Sequence, residues 1–215
     1  MSLVLHYHPL SSYCHKALIA LYENDVSFTP QMVDLGDPQQ RARFLRLWPI
    51  GKFPVLEDPA RGKIIPESSI IIEYIERHHP GKERLIPDDP EQARETRLLD
   101  RFFDLYVHEP MQKIVGDRLR PEGAKDAHGV DHARKTMRTA LGMLEQDMAS
   151  RTWATGETFG LADCAAAPAL FYADKLMPIA GQHPNVASYL DRLMQRPSYA
   201  RVLLEAQPYF SMFPG

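Results

Sequence analysis

Strand-type alternation is confined to the first third of the chain, and that asymmetry excludes most architectures. Residues 3–8, "LVLHYH", put Leu3, Leu5 and Tyr7 on one face with period two. "VSFTPQMVDL" has a second strand pattern. Pro30 within it lacks the N–H that a central ladder requires, so the segment belongs at a sheet edge. "FPVLED", the turn "PARG" and "KIIPES" read as a β-hairpin. Three helical patterns are interleaved. The first follows the Pro9 turn, with Cys14, Ala17, Leu18 and Leu21 at i, i+3, i+4, i+7 and Ser11 or Ser12 as N-cap. The second opens on Asp37-Pro38 and stops before Pro49. The third opens at Ser68 and lines up Ile71, Tyr74, Ile75 and His78. The order β-α-β-α-β-β-α over residues 1–80 predicts a small mixed sheet with helices packed on it.

Beyond a proline- and charge-rich linker at 81–92, strand signals stop. Residues 93–215 read as all-helical, beginning with a long helix capped by Asp89-Pro90. Its apolar stripe is Leu99, Phe102, Phe103, Tyr106 and Val107, with a bend expected at Pro110. "RPEGAKDAHG" interrupts the chain, and helical periodicity resumes over 133–148, 161–177, 186–194 and 199–206. A formal charge of −3 in 215 residues offers no polycationic face for nucleic acid. No run is long and apolar enough to span a membrane, and the N-terminal stretch "MSLVLHYHPL" lacks the basic and apolar regions of a signal peptide, so a cytoplasmic location is expected. Cys14 and Cys164 form neither a disulfide framework nor a zinc pattern, and no set of histidines supplies three converging metal ligands.

Ser-Ser at the start of the first helix, then "GKFPVLED", then "ESSIIIEYIE", in a chain with this element order, resembles the soluble glutathione transferases. The likeness runs along essentially the whole chain and is nearest to serine-type, theta- and zeta-like members. It implies an α/β thioredoxin-like N-terminal domain plus an all-α C-terminal domain, a homodimer, and glutathione as co-substrate without a metal. It further implies transfer of glutathione to apolar electrophiles. Glutathione-dependent isomerisation of the zeta kind is an alternative, weakened because Tyr13 stands where that class has cysteine. A third possibility is a binding or regulatory protein of the same fold without turnover, since fold alone does not settle function.

Glutathione reacts as its thiolate, and a free thiol titrates near pKa 8.5, so a catalyst must stabilise the anion at neutral pH. A hydroxyl at a helix N-terminus can donate to sulfur where exposed N–H groups and the macrodipole already favour negative charge. By the resemblance Ser11 is that donor, with Ser12 and Tyr13 as rivals. Cys14, one turn into the helix on its apolar face, reads as an inert core residue. The resemblance also gives Pro54 a cis bond, pairs the Phe53 main chain with the cysteinyl unit, and brings Lys52 to the glycyl carboxylate. Glu67 and Ser68 hold the γ-glutamyl end. Phe103, Tyr106, Met111 and Tyr172 are the expected contacts of the apolar substrate, and the aromatic tail "PYFSMFPG" could fold back over a groove. One departure stands out: Gly160 occupies the place where the family commonly has a serine or threonine capping the sixth helix. Asp163 remains as the other half of the capping box, with Thr158 as a substitute cap.

Overall fold

The computed structural model describes residues 2–214. Four strands, β1 (Leu3–Tyr7), β2 (Phe28–Met32), β3 (Val55–Asp58) and β4 (Lys63–Pro66), form one sheet in the order β2-β1-β3-β4. β2 runs parallel to β1, while β3 is antiparallel to both β1 and β4. Pro30 sits opposite Leu5 on the outer strand, where its missing N–H leaves no central ladder broken. Helices α1 (Ser12–Glu23), α2 (Pro38–Leu47) and α3 (Ser68–His78) complete the thioredoxin-like part.

The helical part contains α4 (Pro90–Phe102), α5 (Glu109–Arg118), α6 (Ala127–Asp147), α7 (Leu161–Leu176), α8 (Pro184–Gln195) and α9 (Pro197–Ala206). Between α4 and α5, where the sequence led us to expect a disturbance at Pro110, the helix changes its winding. It widens into a π-helical turn, Phe103–His108, just ahead of that proline. A proline inside an unbroken α ladder would leave a carbonyl unpaired, and the i→i+5 spacing absorbs the change.

α1 is the hub. Every residue from Cys14 to Leu21 is buried, because α3 covers one side and α7 and α9 cover others. The one-sided stripe read from the sequence is therefore only part of its apolar surface, as befits a helix enclosed all round. The hydrophobic core runs unbroken from Leu5 and Ile72 through Ile19 to Leu161, Leu170 and Tyr189, with a smaller cluster of Val33, Phe44 and Val55 beside α2.

The start of α7 explains Gly160. Its N–H donates to Asp163 Oδ2 at 2.9 Å, and the neighbouring Leu161 N–H donates to the Leu85 carbonyl at 2.8 Å. A Cβ at position 160 would stand 2.8 Å from that carbonyl oxygen, so the linker's passage over the helix start excludes a side chain there. Asp163, fully buried, also accepts from the Ala154 N–H (2.8 Å) and the Tyr189 hydroxyl (2.5 Å). Half a capping box thus ties three segments together, and Gly160, not Thr158, is the cap residue.

Candidate functional site

The loop between β1 and α1 is held from beneath. The Ser11 N–H donates to the His8 carbonyl (3.0 Å), His15 Nε2–H donates to the Pro9 carbonyl (2.6 Å), and the Tyr172 hydroxyl donates to the Leu10 carbonyl (2.9 Å). His15 is fully buried and burial pushes its pKa down to about 4, so it is a neutral clamp at ordinary pH. Ser11 is the N-cap of α1: its Oγ accepts from the Cys14 N–H at 3.3 Å. Among the described residues the N–H groups of Ser12 and Tyr13 have no protein acceptor. Two N–H donors therefore stand unpaired beside the Ser11 hydroxyl, at the positive end of a twelve-residue helix.

The neighbouring hydroxyls are differently placed. Ser12 is buried and shares a hydrogen bond with His108 Nε2 from the π turn, so it faces the interior. Tyr13 packs edge-on against the His108 ring, 4.0 Å between centroids, and lines a cleft. Burial chiefly, with the Asp104 charge behind it, raises the Tyr13 phenol above its ordinary value, which keeps it a proton donor. Cys14 is wholly buried and its thiol is pushed up to about 12 by burial, with Ser11 hydrogen bonding acting weakly the other way. It is an inert core thiol.

The cleft has a volume of about 500 Å³ and brings together Lys52, Phe53, Pro54, Glu67 and Ser68 with Tyr13. Each comes from an element boundary. The Phe53–Pro54 peptide is cis, and Phe53 precedes the register of β3, so its main-chain N–H and C=O lie outside the ladder. Glu67 adopts φ 71°, a left-handed backbone uncommon for a residue with a side chain, immediately before α3 begins at Ser68. Among the described residues, the N–H groups of Ser68, Ser69 and Ile70 lack protein acceptors. This is a second helix N-terminus suited to a carboxylate, beside a carboxylate suited to an ammonium group. Ser11 itself is not among the residues lining the cleft.

The helical part's contribution differs from the sequence expectation. Phe103, Met111 and Tyr172 are core residues, at most 3% exposed, because the π turn, α5 and α7 respectively direct them into the shared core. The Tyr172 hydroxyl is spent on the loop carrying Ser11, through the Leu10 carbonyl. Tyr106 is the exception, half exposed and packed edge-on to Phe102 at 5.4 Å, but outside the cleft lining. What lines the cleft from α4 and the π turn is charged: Arg97, Asp100, Arg101 and Asp104. The tail does fold back, with Tyr209 edge-on to His8, Phe210 near Phe171 and Phe213 near Tyr172. His8 in turn stacks on Phe53 at 5.9 Å.

A buried lysine was missed by sequence reasoning. Lys16, 1% exposed on α1, places Nζ at 2.6 Å from Asp100 Oδ1 and 2.8 Å from Asp104 Oδ2, and donates to Ser69 Oγ at 2.9 Å. Ser69 donates onward to Asp100 Oδ2 at 2.8 Å. The readable signal was a lysine within an otherwise apolar helix, with two aspartates four residues apart opposite it. A larger groove, about 600 Å³ between α1, β2 and α9, carries less chemistry. There Arg201 pairs with Glu205 (2.9 Å) and covers the Tyr22 ring, whose hydroxyl donates to the same glutamate (2.7 Å). Among the described residues no group of three or more potential metal ligands comes together.

Residues 5–83 match the family model for the glutathione S-transferase N-terminal domain, and residues 92–197 match that for the glutathione S-transferase C-terminal domain. The chain belongs to the glutathione S-transferase family. Within it, the chain is 30% identical to FtsZ-localized protein A of Caulobacter vibrioides, covering 95% of this chain and 92% of that one. It is 25% identical to maleylacetoacetate isomerase of Pseudomonas aeruginosa over 97% and 98% of the two chains. A crystal structure of a glutathione S-transferase from Methylobacillus flagellatus with glutathione bound superposes with a TM-score of 0.86 at 28% identity, covering 94% of this chain and 98% of that one. In this chain the first turns of α1, through Tyr13, and of α3, through Ser68, Ser69 and Ile70, line one cleft.

Proposed function

We propose that this protein binds glutathione in the cleft between α1, the Phe53–Pro54 corner and α3, stabilises its thiolate, and transfers it to electrophiles. The observation that carries this reading is the convergence of Lys52, Phe53, Pro54, Glu67 and Ser68 on one cleft beside the unpaired donors that open α1. Ser68 and the first N–H groups of α3 receive the γ-glutamyl carboxylate, Glu67 receives its ammonium group, and the Phe53 main chain pairs with the cysteinyl unit in strand fashion. Lys52 meets the glycyl carboxylate.

That pose delivers the sulfur to the N-terminus of α1, where the Ser11 O–H and two unpaired backbone N–H groups favour the anion. Ser11 is then the catalytic donor, of the serine type. Tyr13 is the competing donor, favoured by its place on the cleft wall. The electrophile meets a wall more polar than the apolar surface we expected, made by Arg101 and Asp104 with Tyr13 and Phe53. Two soluble copies pairing as a homodimer in the cytoplasm complete the reading.

Titration calorimetry with glutathione, followed by conjugation assays across a panel of electrophiles, tests it. We expect saturable binding in the range of cellular glutathione, weakened by Ser68→Ala, together with conjugation. No binding at millimolar glutathione would overturn the reading. Binding without any turnover favours the non-catalytic alternative, for which the relative named for FtsZ localisation is the motive.

A further inference from the structure

His108, the last residue of the π turn, is buried against the first turn of α1. Its Nε2 shares a hydrogen bond with the Ser12 hydroxyl, and Gln112 Nε2 faces the same nitrogen at 3.3 Å. An amide nitrogen can only donate, so this imidazole nitrogen is the acceptor and the Ser12 O–H points into the interior. The Tyr13 ring packs edge-on to the same imidazole. Ser12 and Tyr13 thus both rest on His108, and they are the residues whose N–H groups, among the described residues, open α1 without protein acceptors. The π winding brings His108 to that place. Four residues carry an α-helix about 40° past a full turn, so Asp100, Asp104 and His108 would fan out around the axis. The wider winding over Phe103–His108 opposes that drift. Asp104 meets Lys16 at 2.8 Å, and His108, four residues on, meets Ser12, four residues back along α1.

The first turn of α1 has little local support of its own. The capping bond from the Cys14 N–H to Ser11 Oγ is long at 3.3 Å, and no acidic residue stands in the turn to counter the exposed N–H groups. A frayed turn would let those groups swing away from the sulfur, and donors stabilise an anion best when their direction is set before the charge develops. His108 is otherwise a poor core residue. Its Nδ1 is buried with no partner, a desolvation penalty that a phenyl ring in the same place would avoid. What the imidazole supplies and a phenyl ring cannot is the acceptor for Ser12.

We infer that His108 is a positioning residue for thiolate stabilisation: by accepting from Ser12 and supporting the Tyr13 ring it holds the first turn of α1 wound, so that the Ser12 and Tyr13 N–H groups and the Ser11 hydroxyl stay directed at the sulfur. This rests on the glutathione reading given above. It ties the donors at the sulfur to the π turn of the helical part. It also confines the Ser12 hydroxyl to a supporting role, which leaves Ser11 and Tyr13 as the side chains that can donate.

The test measures, on the full chain, the thiol pKa of bound glutathione by thiolate absorbance and the affinity for S-methylglutathione, which has no thiol to ionise. Failure of the wild type to bind either compound would defeat the glutathione reading and this inference with it; every later outcome bears on His108 alone. His108→Phe keeps a ring beside Tyr13 but removes the acceptor. The thiol pKa should then rise by about one unit, a tenfold weaker bias toward the anion, with S-methylglutathione affinity within about twofold of wild type. His108→Gln, whose amide oxygen can accept from Ser12, should recover part of the shift. Ser12→Ala removes the same bond with little change in volume, so it should raise the pKa equally and add nothing in the His108→Phe background. It carries the test by itself if His108→Phe does not fold. A pKa unchanged in the folded variants, rises that add in the double variant, or an equal loss of affinity for S-methylglutathione overturns the inference.

Discussion

The structure places differently the residues that the same sequence suggested on the thioredoxin-like part and on the helical part. Lys52, Phe53, Pro54, Glu67 and Ser68 meet in one cleft, whereas Phe103, Met111 and Tyr172 lie in the core. The first set sits at element boundaries, where a proline, a left-handed backbone and a helix start dictate what is presented. The second set was chosen by apolar character along a helix. Periodicity identifies a buried stripe but not which neighbour buries it. Side chains that speak through backbone geometry are legible to a degree that helix-face residues are not.

Acid exposes the deepest difference between interior and cleft. His15 and His108 are held neutral by burial at about 4 and about 3, below the ordinary 6.5. The unfolded chain binds protons below pH 6.5 that the native state refuses, so stability falls as pH drops from 6.5 toward 4. Each contributes on the order of 3 kcal/mol of loss by pH 4. Denaturant midpoints measured across that range should decline steeply; His15→Gln should flatten the decline, and an unchanged slope would contradict the burial argument.

Mutations then separate the two regions directly. Phe103→Ala should cost about 3–5 kcal/mol in chemical denaturation as a core cavity, with glutathione affinity of the folded fraction unaltered. A loss of affinity without a loss of stability would return Phe103 to the substrate wall. Ser68→Ala should do the opposite, weakening glutathione binding about tenfold while moving stability by roughly 1 kcal/mol or less, since Ser68 follows the N-cap Glu67 and no side-chain capping bond is lost. Glu67→Gly sharpens the contrast further. Releasing a side chain from φ 71° should raise stability by about 1 kcal/mol, and removing the carboxylate should weaken glutathione binding. A residue that is both strained and dispensable for binding would undo its place in the site.

Much of the fold was legible for local reasons. Pro30 placed β2 at the edge, the Asp-Pro pairs marked the starts of α2 and α4, and the break read at 120–129 overlaps the gap at 119–126 between α5 and α6. The π turn was not legible, because its cause is the accommodation of Pro110 within a continuous helix rather than a local stop signal. Lys16 was missed for a different reason: its partners are 84 and 88 residues away, on α4 and the π turn, and no single-segment pattern encodes that pairing. Gly160 was noticed as a departure, yet its cause, the Leu85 carbonyl over the start of α7, is likewise a long-range fact.

The central claim is that the open N-terminus of α1, with the Ser11 hydroxyl, keeps the sulfur of bound glutathione ionised. Its most direct test is the pKa of that thiol, followed by thiolate absorbance of the complex in wild type, Ser11→Ala and Tyr13→Phe. The account predicts a pKa well below that of free glutathione in wild type and Tyr13→Phe, and a rise of about one to two units in Ser11→Ala, the loss of one charge-assisted hydrogen bond. A thiolate that survives Ser11→Ala unchanged and disappears in Tyr13→Phe would contradict it.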